Sequence, residues 1–261
     1  MIDTAQTLLA ALSGLAVGFT LGLVGGGGSI LAVPLMVYVV GVRSPHIAIG
    51  TSALAVAANA LAGLANHARA HNVNWRCGGA YALAGVAGAF AGSSFGKAFD
   101  GQKLLFLFAL LMIVVAVLMY RSRHGEGVEG VICNRDNFPK VAGFGLGTGA
   151  LSGFFGIGGG FLIVPGLIAS TSMPIYRAIG TSLVAVSAFG LTTALNYAAS
   201  GLIDWPLAAS FIGGGIAGSL LGTRVSRRLA AEKGTLNAMF ATLVLGVAVY
   251  MLTKSWFALQ G

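Results

Sequence analysis

Long apolar stretches separated by charged residues dominate the hydropathy pattern of this chain. Charged residues bound these stretches at positions 3–43, 43–69, 76–97, 103–121, 140–177, 177–204, 204–224 and 233–254. A helix that crosses a bilayer needs roughly 17 to 25 predominantly apolar residues, and each stretch reaches that length. The pattern therefore predicts an all-α integral membrane protein.

Composition and charge point to the same class. Hydrophobic residues make up 56% of the 261 residues and charged residues only 8%, whereas a soluble domain carries about a quarter charged residues. The net charge of +8 comes from basic residues in the short connections rather than from one continuous stripe. This distribution argues against nucleic acid as a partner and favours the lipid bilayer. The first stretch lacks a basic leader, so no cleavable signal peptide is expected.

Comparison of the chain with itself reveals one internal duplication. Segment 23–34 recurs at 154–165, an offset of 131 positions, and both copies hold a glycine cluster followed by a proline. At an offset of 130, Ile49-Gly50-Thr51-Ser52 recurs as Ile179-Gly180-Thr181-Ser182, Asn66 as Asn196 and Trp75 as Trp205. Internal repeats are typical of transporter folds. We therefore predict a first membrane repeat at 1–120, a linker at 121–138 and a second membrane repeat at 139–261.

The first apolar stretch of each half is too long for one crossing. About 36 helical residues would reach roughly 54 Å, against a hydrocarbon core of about 30 Å. The glycine clusters 25–28 and 156–160 lie near the middle of these stretches, where glycine permits the backbone to turn. Each half is therefore predicted to be a Gly-broken helical hairpin followed by three transmembrane helices.

The basic residues predict the orientation of these elements. If both long stretches double back, most of the 15 Lys and Arg residues share one side with the linker. If both cross only once, the basic residues divide almost evenly. The positive-inside rule therefore favours hairpins, a cytoplasmic linker and both termini on the non-cytoplasmic side of the plasma (inner) membrane. An odd number of passages in each half makes the fold two inverted structural repeats.

Helices broken at glycine clusters expose backbone N–H groups and a partial positive charge, which attract anions. Hydroxyl groups at the start of a following helix either donate to the same anion or cap their own helix. The candidate substrate-binding residues are Gly27, Gly28, Ser29, Thr51, Ser52, Gly158, Gly159, Gly160, Thr181 and Ser182. The alternative is that the glycines only form the bend of each hairpin.

Further polar residues interrupt the apolar stretches. Candidates for the transport pathway or for coupling are Asn59, Asn66, His67, Asn196 and Tyr197. Polar residues in membrane spans either face a pathway or hold helices together. His67 and Tyr197 occupy equivalent positions, so they are candidates for a proton relay or for interfacial anchors.

No enzyme cofactor is predicted. Gly213, Gly215 and Gly218 match a dinucleotide-binding fingerprint, but this string follows no predicted strand, which that mechanism requires. Cys77 and Cys133 have no metal-ligand spacing, and we predict neither a zinc site nor a disulfide from them. No other metal site is expected.

The two glycine-to-proline segments, 25–34 and 156–165, together with the two Ile-Gly-Thr-Ser strings, resemble the TauE/SafE sulfite-exporter family of membrane permeases. The likeness covers essentially the whole chain, although Ser29 stands where the second half has Gly160. It implies transport of a small anion, either a sulfur-containing oxyanion or an organosulfonate of the sulfite, sulfoacetate or thiosulfate type.

Alternating access is the expected mechanism, with the anion held near the midplane by the broken-helix ends. No Asp or Glu lies within an apolar stretch, so protons and homo-oligomer formation are left open. The alternatives are an anion channel and an intramembrane serine protease that uses Ser29 or Ser152. A protease would need a histidine base, and all four histidines lie in the first half or the linker.

Overall fold

The computed structural model describes residues 4–121, 133, 137–156, 160–229, 242 and 244–254, and no strand occurs among them. In the first half, the helices are α1 (Thr4–Val24), a 3-10 segment (Gly25–Leu31), α2 (Ala32–Tyr38), α3 (Pro45–Arg69), α4 (Trp75–Ala98) and α5 (Gly101–Arg121). In the second half they are α6 (Phe138–Phe155), α7 (Gly160–Thr171), α8 (Ile175–Ala198), α9 (Trp205–Leu229) and α10 (Val244–Lys254). The all-α prediction is confirmed.

Among the described residues, 5 helical segments are long and apolar enough to cross a membrane. They are Thr4–Leu23, Pro45–Arg69, Gly101–Leu118, Ile175–Ala198 and Trp205–Val225. Large apolar side chains on the outer helix faces are exposed, with Leu83 at 79% and Phe95 at 72%. Such exposure over a whole bundle is unfavourable in water and expected in lipid.

The first long stretch doubles back at its glycine cluster. Gly25 adopts a left-handed backbone conformation with φ +69°, which glycine accepts without a steric penalty. Gly28 then lies directly against the backbone of Thr20 and Leu21, and the Thr20 hydroxyl donates to the Gly28 carbonyl at 3.4 Å. The chain therefore returns along α1 through the 3-10 segment and α2.

The second long stretch reverses in the same way. Gly156 ends α6 with φ +66°, and a Cβ on Gly166 of α7 would lie 3.4 Å from Cγ2 of Thr148 in α6. In each half a Gly-broken hairpin precedes three helices, as predicted. In the first half these helices are α3, α4 and α5, and in the second they are α8, α9 and α10. Two of these helices, α4 and α10, are not among the described segments long and apolar enough to cross a membrane, so three transmembrane helices in each half stay a prediction.

The duplication extends to backbone conformation. Left-handed φ values occur at equivalent positions in both halves, namely Gly25 and Gly156, Gly41 and Ser172, and His71 and Gly201. Two of these positions hold non-glycine residues in one half. The turns between helices are therefore copied along with the apolar pattern.

The two halves pack crosswise rather than side by side. Helix α1 packs against α9, and α4 packs against α6. Gly18 lies against the backbone of Gly215, and Gly149 against that of Gly85. Successive glycines on α1 meet successively later residues of α9, so these two helices run parallel. Glycine lets the backbones approach this closely.

Helices α3 and α8 run antiparallel at the centre of this arrangement. The His46 ring lies 6.4 Å from that of Tyr197, and the His67 ring lies 6.1 Å from that of Tyr176. This antiparallel contact agrees with the inverted repeat expected from the sequence, and the inverted repeat itself stays a prediction. The orientation of the halves relative to a membrane stays a prediction.

The prediction that Cys77 and Cys133 are unpaired was wrong. They form a disulfide with a Cα–Cα distance of 5.5 Å across a sequence separation of 56 residues. Spacing could not reveal this pair, because it depends on the return of the chain after α5 to the start of α4. Most of the predicted linker, 121–138, lies outside the described residues, and its assignment to the cytoplasm stays a prediction.

Candidate functional site

Each glycine turn contacts the Ile-Gly-Thr-Ser string of the other half. A Cβ on Gly25 would lie 2.7 Å from Cγ2 and from the carbonyl oxygen of Ile179. In the same way, a Cβ on Gly156 would overlap Cγ2 of Ile49. The repeated motifs are therefore joined crosswise, with the glycines supplied by one half and the hydroxyl string by the other.

Thr51 and Thr181 add hydrogen bonds between the two halves beside these glycine contacts. Thr51 Oγ1 accepts a hydrogen bond from the backbone N–H of Asp204 at 3.0 Å. Thr181 Oγ1 accepts one from the backbone N–H of Asn74 at 3.0 Å. Asp204 and Asn74 are equivalent positions just before α9 and α4, and each caps its own helix by accepting from a later backbone N–H. Each threonine thus completes a helix start of the opposite half.

The serine hydroxyl groups are directed at their own helices. Ser52 donates to the carbonyl groups of Ala48 and, at 3.2 Å, Ile49, and Ser182 donates to that of Ile179 at 2.7 Å. Both serines and both threonines are fully buried. These hydrogen bonds join each serine to carbonyl groups three or four residues earlier within its own helix, which is neither anion binding nor the helix capping of the sequence alternative.

The glycine clusters are only partly described. Gly27 lies within the 3-10 segment, Gly28 and Ser29 are buried beside α1, and Gly160 is buried at the start of α7. Gly158 and Gly159 lie outside the described residues. The 3-10 segment and α7 pack against each other, so the returning arms of the two hairpins meet inside the protein.

These contacts define two half-sites. The Gly156–Thr51 half-site comprises Gly156, Gly160, Thr51 and Ser52, and the Gly25–Thr181 half-site comprises Gly25, Gly28, Ser29, Thr181 and Ser182. In the antiparallel register of α3 and α8, Thr51 and Thr181 lie about 17 Å apart along the helix axis. The structure therefore brings together opposite halves within each half-site but does not bring the two half-sites together.

Comparison with known protein families identifies the family of this chain. Residues 10–251 match the family model described as Sulfite exporter TauE/SafE. The chain belongs to the TauE/SafE family. It is accordingly a multi-pass membrane transporter and not an enzyme.

Individual relatives carry the same general description. A probable membrane transporter protein of Xylella fastidiosa (strain 9a5c) is 53% identical over 98% of this chain and 99% of its own length. One from Methanocaldococcus jannaschii is 26% identical over 90% of this chain and 93% of its own length. The YunE protein of Bacillus subtilis, also a probable membrane transporter protein, is 24% identical over 89% and 93% respectively. No solved structure matches the chain.

The predicted pathway residues of this TauE/SafE protein lie in different surroundings. Asn59 is fully buried at the middle of α3, whereas Asn66 is half-buried near its end. Asn196 binds α4, because its Oδ1 accepts from Lys97 Nζ at 2.7 Å and its Nδ2 donates to Ser93 Oγ at 2.6 Å. Asn196 therefore holds two helices together, as one of the two sequence alternatives expects.

The structure does not bring His67 and Tyr197 together. His67 is buried beside Tyr176, and its Nδ1 lies 3.1 Å from Nδ2 of Asn72. Tyr197 is buried at the opposite end of the α3–α8 pair, beside His46 and against Gly50. The two side chains lie about 30 Å apart along the helix axis, so they form no direct relay in this conformation.

Sequence reasoning missed the residues that face the threonines. Asn74 and Asp204 stand at the offset of 130 that relates all the later motifs, but they differ in type and flank the apolar stretches. Sequence reasoning also missed the contacts of Lys97, a partly exposed residue at the end of α4. Its ammonium group donates to Asn196 and, at 2.8 Å, to Ser200.

Proposed function

We propose that this TauE/SafE transporter is a permease for a small sulfur-containing oxyanion or organosulfonate, of the sulfite, sulfoacetate or thiosulfate type. The observation that carries the proposal is the buried start of α7. Helix α7 begins at Gly160 inside the protein and packs against the 3-10 segment of the other hairpin. A helix N-terminus within the protein presents unpaired N–H groups and a partial positive charge to an anion.

The mechanism we propose is alternating access. The two half-sites lie at different depths and each is built from both halves, so rocking one half against the other alters both at once. The Gly156–Thr51 half-site then opens toward one side and the Gly25–Thr181 half-site toward the other. An anion passes between them through the interior, held by neutral N–H and O–H donors.

An anion channel is the rival within the transporter class. A channel would have to open a continuous polar route past both half-sites, and their hydroxyl and backbone groups are buried in helix contacts. The crosswise contacts between halves favour a carrier, since a rocking motion of one half against the other would alter both half-sites at once.

The membrane and the orientation are also proposals. The distribution of basic residues favours the plasma (inner) membrane with both termini on the non-cytoplasmic side and the linker in the cytoplasm. The disulfide between Cys77 and Cys133 would place the linker in an oxidising compartment instead. We propose that charge sets the orientation. Labelling of Phe138→Cys from the outside would instead place the linker, and the disulfide with it, in the oxidising compartment.

Transport by the purified protein in proteoliposomes tests the proposed function. We expect uptake of sulfite, thiosulfate or sulfoacetate above that of empty vesicles, with no uptake of small cations. Replacing both Thr51 and Thr181 by Val removes the acceptors for the Asp204 and Asn74 N–H groups, and we expect transport to fall roughly tenfold or more. The protein should still insert into the membrane.

The matched control keeps the oxygen atom. Thr51→Ser with Thr181→Ser retains a hydroxyl at each position and should transport close to the wild-type rate. Equal rates for the Val and Ser double variants would remove the threonine oxygens from the site. Wild-type protein that moves none of the anions would contradict the proposed function itself.

A further inference from the structure

Two fully buried polar side chains lie one helical turn apart at the interface of α3 and α9. Asn59 and Ser219 are both 0% exposed. Within the described part of the chain, three atoms have no hydrogen-bond partner: Nδ2 and Oδ1 of Asn59 and Oγ of Ser219. Neither residue belongs to the two half-sites.

Glycine contacts place these two side chains on facing helices, one helical turn apart. The Asn59 amide contacts Gly215 so closely that a Cβ on Gly215 would overlap the amide atoms. One helical turn further along both helices, Ser219 Oγ lies 3.3 Å from the position of a Cβ on Gly63. Asn59 lies near the middle of α3 and, in depth, between Thr51 and Thr181. Ser219, level with Gly63, lies at about the depth of Thr181. An anion that moves between the half-sites therefore passes the depth of Asn59 and reaches that of Ser219.

The other half has no such pair. At the offset of 130, Phe189 corresponds to Asn59 and Ala89 corresponds to Ser219. The Phe189 ring packs directly on Gly85, the equivalent of Gly215. The hydroxyl of Thr193, at the position of Gly63, is the polar group that this second interface retains. A duplication that otherwise copies turns and contacts thus carries Asn59 and Ser219 on one side where the other side has Phe189 and Ala89.

Buried polar groups in native proteins are nearly always hydrogen-bonded, to protein, water or a ligand. Within a membrane, leaving three such atoms unpaired is unfavourable, and polar residues retained there are usually functional. Apolar residues fit the equivalent positions in the second half, so this packing does not itself require an amide. The pair is therefore best explained by a ligand that occupies it during transport.

The hydrogen-bonding capacity of the pair restricts that ligand. Asn59 Nδ2 and the Ser219 hydroxyl can donate to oxyanion oxygens, but Asn59 Oδ1 only accepts. A fully deprotonated oxyanion would leave Oδ1 unpaired and facing negative charge. An oxyanion that carries one proton satisfies all three groups, because its own O–H donates to Oδ1 while its other oxygens accept.

We propose that Asn59 and Ser219 form an intermediate binding site for a singly protonated oxyanion. This inference rests on the proposed function and deepens it, since it specifies the protonation state of the cargo. It also supplies a route for protons: the cargo itself carries the proton across, so the described spans need no carboxylate for that purpose. A hydrogen-bearing monoanion of the hydrogensulfite type satisfies all three groups, whereas a sulfonate or a dianion leaves Asn59 Oδ1 without a donor and should bind more weakly.

Substitutions in proteoliposomes test the residues. Ser219→Ala introduces the residue found at the equivalent position, Ala89. Asn59→Leu removes the amide oxygen and nitrogen while keeping a similar side-chain volume. We expect each to reduce sulfite transport roughly tenfold while the unfolding temperature in detergent stays at or above that of wild type. The control, Ser210→Ala, removes a hydroxyl of α9 that donates to the Pro206 carbonyl and should transport at the wild-type rate.

The cargo and pH test the protonation state. Across the neutral range sulfite gains a proton and thiosulfate does not, so sulfite transport should rise as pH falls and carry one proton per anion into the vesicle. Thiosulfate transport should be slower and independent of pH. Wild-type sulfite transport that Ser219→Ala and Asn59→Leu leave unchanged would overturn the site alone. Sulfite movement without a proton would overturn the protonated cargo, and no anion transport by wild type would remove the proposed function and this site together.

Discussion

Gly218→Ala should lower the unfolding temperature of this transporter far more than Gly213→Ala, although both exchange glycine for alanine on α9. A Cβ on Gly218 would overlap the carbonyl oxygen of Leu15 and lie 2.7 Å from the Phe19 amide nitrogen in α1. A Cβ on Gly213 meets nothing within 4 Å. The clash is with backbone, which cannot rotate away, so the two helices have to separate.

We expect Gly218→Ala to cost about 1 to 3 kcal/mol, which corresponds to a fall of roughly 3 to 10 °C in unfolding temperature. The unfolding temperature is measured by heating the protein in detergent and monitoring the loss of its monodisperse peak in size-exclusion chromatography. The same comparison applies to the other crosswise pair, where a Cβ on Gly88 would overlap the Leu146 carbonyl of α6 and Gly143 is open. Equal effects for Gly218→Ala and Gly213→Ala would contradict the close packing of α1 on α9.

Gly156→Ala should be strongly damaging, and Ile49→Ala should partly rescue it, because the clash at this hairpin turn is with a side chain. Gly156 combines a left-handed φ of +66° with a position where a Cβ would overlap Cγ2 of Ile49 in the other half. Gly201 provides the control, because its φ is +69° and nothing lies within 4 Å of its Cβ position. Both variants therefore suffer backbone strain of about 1 kcal/mol, but only Gly156→Ala adds a clash between halves.

A double-mutant cycle separates the two contributions. Unfolding temperatures and sulfite transport are measured for Gly156→Ala, Ile49→Ala and the double variant. We expect the double variant to recover most of the loss beyond that of Gly201→Ala. Additive effects of the two changes would show that Gly156 and Ile49 do not touch, and would separate the glycine turn from the Thr51 string.

The membrane class, the hairpins and the helix order could be predicted because they depend on the chain near each residue. Span length follows from apolar stretches, and a stretch of twice the necessary length with glycines at its middle has few ways to fit a bilayer. The left-handed φ at Gly25 and Gly156 is the local event that the glycine clusters predicted. The offset of 130 likewise identified equivalent positions without any knowledge of the fold.

The partners of these residues could not be predicted in the same way. An internal repeat says that Gly25 is equivalent to Gly156 and Thr51 to Thr181, but not that Gly156 contacts the string of Thr51. That crosswise pairing follows from the parallel packing of α1 on α9 and of α4 on α6. The joining of Cys77 to Cys133 depends on the same long-range packing, which is why spacing alone gave the wrong answer.

The roles of the polar residues divide along the same line. The sequence identified Asn59, Asn66 and Asn196 together, as polar groups in apolar stretches. Only the contacts distinguish Asn196, which binds Lys97 and Ser93, from Asn59, whose amide has no partner among the described residues. The sequence shows that Asn59 has an apolar counterpart, Phe189. Only the structure shows that both side chains pack on equivalent glycines, so that an amide replaces a phenyl ring in the same contact.

The central claim is that both long apolar stretches double back, so that equivalent ends of the two halves face opposite sides of the membrane. Single cysteines, introduced after replacing Cys77 and Cys133 by serine, test it with a membrane-impermeant maleimide on intact cells and on inverted vesicles. We predict that Thr4→Cys and Arg43→Cys react from the outside, and that Phe138→Cys and Arg177→Cys react from the cytoplasmic side. Labelling of Thr4→Cys and Arg43→Cys from opposite sides would contradict the hairpin and the inverted arrangement built on it.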